Sequence, residues 1–266
     1  MSNKSYLRIL VCSNCQSNCI FCHKDGAEGN NNLSLSKFKF IFNKYRKNVT
    51  KIRFSGGEPL LNKDILNMAI FVKPVVNNVR IVTNGLLLNK YKAKIKKFKY
   101  PNLTISIHSL YPKTYNKITG LSLKQHKQII TSIKELSPYI NIKLNVVFLK
   151  GINTSYAELK KIIDFGTKYN LDIRFQELDI GIIDSNFPFN KYHYSVQSLK
   201  KDLEQITPLK FKRINKNSVW LSRINNSEIS IKSGLCYNKK CNECDRTRPL
   251  LIMPDGTIKT CRLCNF

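Results

Sequence analysis

Apolar, β-branched runs recur along the first two thirds of the chain, and a stretch with helical spacing follows almost every one. The runs Tyr6–Val11, Lys51–Ser55, Asn78–Thr83, Leu103–His108, Ile142–Leu149 and Leu171–Glu177 read as strands. Between them, Leu35–Tyr45, Leu61–Phe71, Lys90–Phe98, His126–Leu136 and Tyr156–Tyr169 repeat apolar residues at the period of an amphipathic helix. Ser34 and Asn153/Thr154 are predicted N-caps, and Gly151 and Gly166 punctuate the pattern. Strand–helix alternation of this kind predicts a parallel sheet with helices outside it. Six units are too few for the closed eight-stranded barrel. The predicted fold class is therefore α/β, an open partial (β/α)6 barrel of TIM-like design. Functional groups in such folds gather at the C-terminal ends of the strands.

Beyond about Asp179 the alternation weakens. Gly181–Tyr194 reads as a loop, Ser195–Ile206 as a helix, and Lys210–Ile231 as short strands or irregular structure, with a cysteine-rich tail from Cys236 onward. This divides the chain into a partial-barrel core, residues 1–180, and a C-terminal extension, residues 181–266, expected to cover the barrel mouth.

Hydrophobic residues at 42% and charged residues at 23% are globular values. No apolar run approaches the ~18–20 residues that span a bilayer, and the first residues lack the apolar core of a secretory signal. A cytoplasmic protein with no membrane partner is expected. Nine cysteines grouped in two clusters then argue for metal rather than disulfides. The net charge of +28 points to an anionic partner or to a lysine-rich background whose solvent faces default to Lys. The sequence carries neither an aromatic–glycine RNA signature nor a C2H2 finger spacing, so a nucleic-acid partner is not expected, whereas a triphosphate fits the charge.

Cys15, Cys19 and Cys22 stand in C-x3-C-x2-C spacing directly after the first strand. Three thiolates so placed can hold three irons of a 4Fe–4S cubane and leave the fourth iron open to a chelating small molecule. A zinc site is the alternative, with Cys12 or His23 as its fourth ligand. Ser55–Leu61 reads SGGEPLL at the end of the second strand. Its paired glycines let backbone approach a ligand without a Cβ in the way, and Glu58 sits ahead of Pro59 at a rigid turn.

The two motifs together resemble the radical S-adenosylmethionine (SAM) superfamily, in which the three-cysteine cluster chelates SAM and the GGE element contacts its amino group. The resemblance narrows to the molybdenum cofactor biosynthesis protein A family, the GTP 3′,8-cyclases. The blocks LRILVCSNCQSNCIFCHKDG, KIRFSGGEPLL, VTNG, ISIHSL, IKLNVVFLKGIN, IRFQEL and CNECDRTR stand in family order from Arg8 to Cys261. The FCHKDG block is similar to the archaeal form of the motif.

The resemblance implies two 4Fe–4S clusters and SAM as cofactors. Cys15, Cys19 and Cys22 would hold the first cluster and Cys241, Cys244 and Cys261 the second. A closed zinc ribbon, or a fourth thiolate from Cys236 or Cys264, is the alternative at the second site. Phe21, Gly56, Gly57, Glu58, Ser106 and Asp179 take the SAM positions; Asp179 falls where the family usually has methionine. Arg8, Lys51, Arg53, Thr83, Lys143, Arg174, Arg246 and Arg248 take the GTP positions. Lys51 and Arg53 alternate within one strand and so share a face, expected to be the barrel interior. A triphosphate would satisfy cations there, since guanidinium binds phosphate oxygens in bidentate fashion.

The implied activity converts GTP to (8S)-3′,8-cyclo-7,8-dihydroguanosine 5′-triphosphate. A 5′-deoxyadenosyl radical from SAM takes the C3′ hydrogen, the C3′ radical adds to guanine C8, and Arg8 assists the final reduction. The implied partners are a flavodoxin- or ferredoxin-like electron donor, a downstream cyclic pyranopterin monophosphate synthase, and a second copy in a homodimer.

The chain departs from the family pattern at three further points. The gap from Cys244 to Cys261 is longer than usual, His108 replaces the usual bacterial Asp, and the family's Gly-Gly tail has no counterpart before Phe266. The missing tail and the altered cysteine gap favour the first alternative function, a related radical SAM enzyme acting on another nucleotide, sugar or peptide, and the full set of basic positions speaks against it. The second alternative, suggested by charge alone, is a metal-stabilised nucleic-acid-binding protein.

Overall fold

Six parallel strands run side by side in chain order: β1 (Tyr6–Leu10), β2 (Lys51–Ser55), β3 (Asn78–Thr83), β4 (Asn102–Ser106), β5 (Ile142–Val147) and β6 (Asp172–Gln176). The structure is a computed structural model describing residues 6–22, 29–178, 187–215, 219–234 and 250–259. The helices that follow β1 to β5 are α1 (Leu35–Tyr45), α2 (Ile65–Val72), α3 (Leu88–Phe98), the pair α4 (Pro112–Thr119) and α5 (Leu123–Leu136), and α6 (Tyr156–Lys168). After β6 come α7 (Phe189–Tyr192), α8 (Val196–Ile206), β7 (Lys212–Asn215), β8 (Val219–Ile224), β9 (Ser227–Lys232), β10 (Leu250–Ile252) and β11 (Ile258–Lys259).

The sheet is open, as expected, but wider than the six alternating units suggest. Its order is β11-β10-β1-β2-β3-β4-β5-β6-β9-β8-β7. β10 lies parallel on the outer side of β1, and β9 lies parallel beside β6. Residues beyond 181 thus add a parallel strand at each end, and an antiparallel meander, β7–β8–β9, finishes one edge.

Strand residues alternate between two environments because successive side chains point to opposite faces of a sheet. Leu7, Ile9, Ile52, Phe54, Val79, Ile81, Leu144, Val146, Ile173 and Phe175 are completely buried and join one cluster with the apolar helix faces. Phe54, for instance, meets Phe38 of α1 edge-on at 5.6 Å between ring centres. Fully burying a side chain of this size contributes about 1.5–3 kcal/mol, so this face holds the helices in place. The opposite face carries the polar and charged members of the same strands.

Local chemistry moves several predicted boundaries. The stretch Pro112–Thr119 is a helix with Pro112 in its first turn, where proline's fixed φ is already helical, and it ends at Gly120 with φ 72°. α5 begins at Leu123 rather than His126, because Ser122 and Gln125 form a reciprocal capping box. α2 begins at Ile65 rather than Leu61, since Pro59–Leu61 forms a separate 3-10 turn capped by Glu58. Ser34 caps α1 as expected. The cap of α6 is Ser155, not Asn153 or Thr154. Asn153 is buried and donates to the carbonyls of His108 and Val147 at 2.7 and 2.9 Å, tying the ends of β4 and β5 together. The predicted loop 181–194 contains the single turn α7. Gly166 lies inside α6, where a Cβ would stand 2.5 Å from Ile173 Cδ1 of β6.

Candidate active site

Two sets of groups meet at the polar side of the sheet, one at the C-terminal mouth of the strands and one deeper, along their inner face. The mouth is built from the loop after β1. Val11 N donates to Ser55 O, Gly57 N to Cys12 O at 2.8 Å, and Glu58 N to Asn14 O at 2.7 Å, so the SGGE turn clasps the cysteine loop largely through backbone. The far side of the loop is pinned to α4 by Asn18 N to Thr119 O and Ile20 N to Ile118 O.

This clasp explains the paired glycines differently from their sequence reading. A Cβ on Gly57 would lie 2.1 Å from Asn14 O, and one on Gly56, at φ +131°, 2.3 Å from Cys12 O. The close approach is made by the protein's own cysteine loop.

The loop leaves Cys15 and Cys22 exposed and Cys19 partly so, all three as free thiols. Burial pushes the Cys19 thiol up to about 12, with the neighbouring Cys22 and Cys15 adding to it. A bound metal reverses that preference, because it takes the sulfur as thiolate. Cys12 is completely buried, and its thiol donates to Glu58 O at 3.0 Å. Its geometry is that of a strut under the loop. Among the described residues no three His, Cys, Asp or Glu side chains converge on a single-ion site. A cubane does not ask for that convergence, because it takes its thiolates at separate corners. The donor set and the glycine clasp fit a three-thiolate cluster.

Glu58 is completely buried, and the chain itself uses its carboxylate. Oε1 accepts from Leu60 N at 2.9 Å and from Thr83 Oγ1 at 2.6 Å, and Oε2 accepts from Asn84 N at 2.7 Å. Burial pushes Glu58 up to about 7 against the pull of those three hydrogen bonds. Thr83 is occupied too, since its hydroxyl also accepts from Gly85 N at 3.0 Å. Glu58 and Thr83 therefore act as a bracket between the ends of β2 and β3. Gly56 and Gly57 are the part of the GGE element left accessible.

Asn84, not anticipated from the sequence, extends this bracket. Its side chain reaches Ser17 Oγ at 3.1 Å and Cys15 Sγ at 3.7 Å. Phe21 sets its ring edge-on against His108 at 5.0 Å. His108 is buried, its Nδ1 accepts from Val147 N at 3.1 Å, and burial pushes it down to about 4, so the ring is neutral. Ser106 lies half-buried on the inner face at the end of β4.

Deeper down, the inner face is cationic. Arg8, Arg53 and Arg80 are register neighbours across β1, β2 and β3, with Lys51 one step lower on β2. Lys143 and Arg174 lie on β5 and β6. Burial pushes Lys51 down to about 8, helped by Arg53, Arg174, Lys143 and Arg80. Lys51 thus senses charges three and four strands away. On a flat sheet those strands would stand roughly 14–20 Å off. The sheet must curl to bring them face to face, forming a lumen.

The lumen cations differ in how far the chain satisfies them. Arg8 Nε donates to Ser55 Oγ at 3.1 Å. Arg53 donates to Asn78 Oδ1 at 3.0 Å, and Arg80 to Leu103 O at 2.7 Å and to Asn141 Oδ1. Lys143 pairs with Glu228 at 3.1 Å and Asp172 at 3.7 Å. Lys51 rests on the Tyr6 ring, 4.6 Å from its centre. Arg174 has no hydrogen-bond partner among the described residues, and burial pushes it below its ordinary range. Arg80, Asp172 and Glu228 escaped sequence reading. Inward alternation on β3 was the available signal for Arg80, while the acidic pair needs the β6–β9 contact. Asp179, Cys236, Cys241, Cys244, Arg246, Arg248, Cys261 and Cys264, together with His23, lie outside the described residues.

This clasped cysteine loop over a curled, open parallel sheet has counterparts. The radical SAM superfamily profile matches residues 9–165, and the chain belongs to that superfamily. Its members use a 4Fe–4S cluster with SAM, and the cysteine loop is where this chain would hold them. Over 97% of its length the chain is similar to proteins named as GTP 3′,8-cyclases. The "Probable GTP 3′,8-cyclase" of Thermococcus kodakarensis is 27% identical, with 85% of that protein covered. The GTP 3′,8-cyclase of Clostridium acetobutylicum is 29% identical, with 81% covered. Among solved structures, Streptococcus suis SuiB bound to S-adenosylmethionine superposes with a TM-score of 0.70 at 19% identity. That match covers 97% of this chain and spans 60% of the SuiB chain, and it is a likeness of fold. No helix among the described residues is long and apolar enough to cross a membrane.

Proposed function

We propose that this chain is a GTP 3′,8-cyclase, a radical SAM enzyme that turns GTP into its 3′,8-cyclo-7,8-dihydro derivative for molybdenum cofactor biosynthesis. The names of its full-length relatives support this reading. The observation that carries it is the lumen, where Lys51 sits among Arg53, Arg174, Lys143 and Arg80, and where Arg174 feels Asp172 and Glu228 but has no hydrogen-bond partner among the described residues. Like charges held together out of water are costly unless an anion joins them, and a triphosphate is such an anion.

When bound, the cluster and SAM supply the 5′-deoxyadenosyl radical that takes the ribose C3′ hydrogen. The chain's own part is to hold the nucleotide. Arg174, Lys51 and Arg53 would draw the phosphates down into the lumen. Arg8, tied to Ser55 at the foot of the GGE turn, would sit between phosphates and mouth. The neutral mouth, with Phe21 against His108, would keep water from the reacting carbon. The reading extends to a second cluster on Cys241, Cys244 and Cys261, with Arg246 and Arg248 adding phosphate contacts. It also extends to a flavodoxin- or ferredoxin-like donor, a downstream cyclic pyranopterin monophosphate synthase and a homodimer.

A second reading rests on the acidic pair. Asp172 and Glu228 hold Lys143, so a nucleotide or sugar with fewer phosphates and a hydroxyl-rich end would also be accommodated. Product analysis after anaerobic incubation with SAM, dithionite and GTP decides between them. A GTP-derived cyclised product supports the cyclase. Formation of 5′-deoxyadenosine with GTP unchanged sinks the GTP assignment and leaves the superfamily membership standing.

A further inference from the structure

We propose that Asn84 sets the reduction potential of the cluster held by Cys15, by donating a side-chain N–H to the Cys15 sulfur. This rests on Cys15 being a cluster ligand. The Asn84 side chain is fixed in its orientation. Its Oδ1 accepts from Leu86 N at 2.9 Å, which leaves Nδ2 as the end that faces the cysteine loop. One of the two amide hydrogens serves Ser17 Oγ at 3.1 Å and the other Cys15 Sγ at 3.7 Å. Ser17 N is a second donor to the same sulfur, at 3.4 Å.

The backbone of Asn84 is held as firmly. Its N–H donates to Glu58 Oε2, and Glu58 is in turn held by Thr83 and Leu60. The buried bracket between β2 and β3 therefore aims an amide at one chosen sulfur. Ser17 and Asn84 thus both donate to the Cys15 sulfur.

An iron-bound thiolate still accepts hydrogen bonds, and hydrogen bonds to the sulfurs are among the factors that set a cluster's potential. One-electron reduction adds a negative charge to the cluster. A donor at sulfur stabilises that charge and raises the potential. Asn84 is a positioning residue here, acting through Cys15.

The test is a redox titration of the full chain, reconstituted anaerobically, with dithionite as the one-electron reductant. Electron paramagnetic resonance follows the signal that changes on adding SAM. Asn84→Ser removes the amide but keeps an oxygen able to accept from Leu86 N, so the turn survives. A several-fold to tenfold loss of reduced cluster at fixed potential is expected, the tenfold limit being about 59 mV for one electron. Proton double resonance without SAM should lose one exchangeable coupling in the variant. Ser17→Ala, which removes the Ser17 hydroxyl beside both groups but keeps the Ser17 N–H, should leave the Asn84 coupling in place.

An unchanged midpoint and unchanged couplings in Asn84→Ser, with full iron content, overturn the proposal. Where Asn84→Ser fails to take up iron, the wild-type protein decides. A coupling from the Asn84 side-chain amide supports the proposal, and couplings from Ser17 alone overturn it. Cys15→Ala separates the underlying reading: if the SAM-responsive signal survives that change, Cys15 is not a ligand and it is the cluster assignment that has failed.

Discussion

The mouth and the lumen lie on the same strands, yet they are stabilised in opposite ways. At the mouth, groups that look functional are satisfied within the chain: Glu58 accepts from Leu60, Thr83 and Asn84, and Cys12 donates to Glu58 O. In the lumen, Lys51 is held among like charges and Arg174 is buried near Asp172 and Glu228, and neither side chain has a hydrogen bond to a described residue. The mouth is preorganised before any ligand arrives. On the proposed function, the lumen is completed by one. Binding energy should therefore come from below, while the geometry of the chemistry is fixed from above.

The largest effects should fall on the mouth. Cys19→Ala is expected to lose the SAM-responsive cluster completely, whereas Cys12→Ala should keep iron content and SAM cleavage. The second variant should cost about 1–3 kcal/mol in stability, for a lost buried thiol and its hydrogen bond. Iron analysis and denaturation of both variants check this, and equal iron loss would make Cys12 part of the cluster site.

Next in size is an acid effect at the mouth. The neutral His108 ring keeps its proton off down to about 4, whereas in the unfolded chain it protonates near 6.5. Between those values the unfolded state binds more protons, so stability falls as pH drops from about 6.5 to about 4. The full window is worth roughly 3 kcal/mol. His108→Phe should flatten that part of the profile. A wild-type and variant pair with parallel pH profiles would count against a buried neutral ring.

The lumen is tested by charge removal. Arg174→Ala should weaken GTP binding about ten- to a hundred-fold, the worth of a charge-assisted hydrogen bond of roughly 1.5–3 kcal/mol. Lys94→Ala and Lys97→Ala, on the exposed side of α3, should change it by less than about 1 kcal/mol. Calorimetry giving equal losses for both sets would mean the basicity is diffuse and the lumen is no phosphate site.

The smallest and sharpest prediction concerns protons. Lys51 sits at about 8 because of burial and its cationic neighbours, and an anion in the lumen would move it back up. Binding GTP near pH 8 should therefore take up about half a proton per chain. Titrations in two buffers of different ionisation enthalpy read this directly. No uptake, or release, would place the phosphates away from β2.

The sequence announced the lumen better than the mouth. Alternation of Lys51 and Arg53 within a strand is enough to put both on one face, and the structure places them on one wall. Arg80 obeys the same alternation but had no motif to draw attention to it. The bracket of Glu58, Thr83 and Asn84 was legible only as separate motifs, because its hydrogen bonds cross from β2 to β3. The glycines of the SGGE turn were read as making room for a ligand, since sequence does not say which backbone comes near; here it is Asn14 and Cys12. β10 is three residues long and β9 follows a tight turn, so neither carried enough periodicity to be read as a parallel strand. The contacts that recruit them are set by strands far away in sequence.

That recruitment has a consequence for synthesis. Leu7, on the strand that leads into the cysteine loop, pairs with Leu250, so β1 lacks one of its two neighbours until nearly the whole chain has left the ribosome. Until then the strand beneath the cluster loop keeps an open edge, able to pair wrongly with other chains. Iron delivered early in translation would meet a loop whose base is unfinished, and a cell making this protein gains by loading metal only after release.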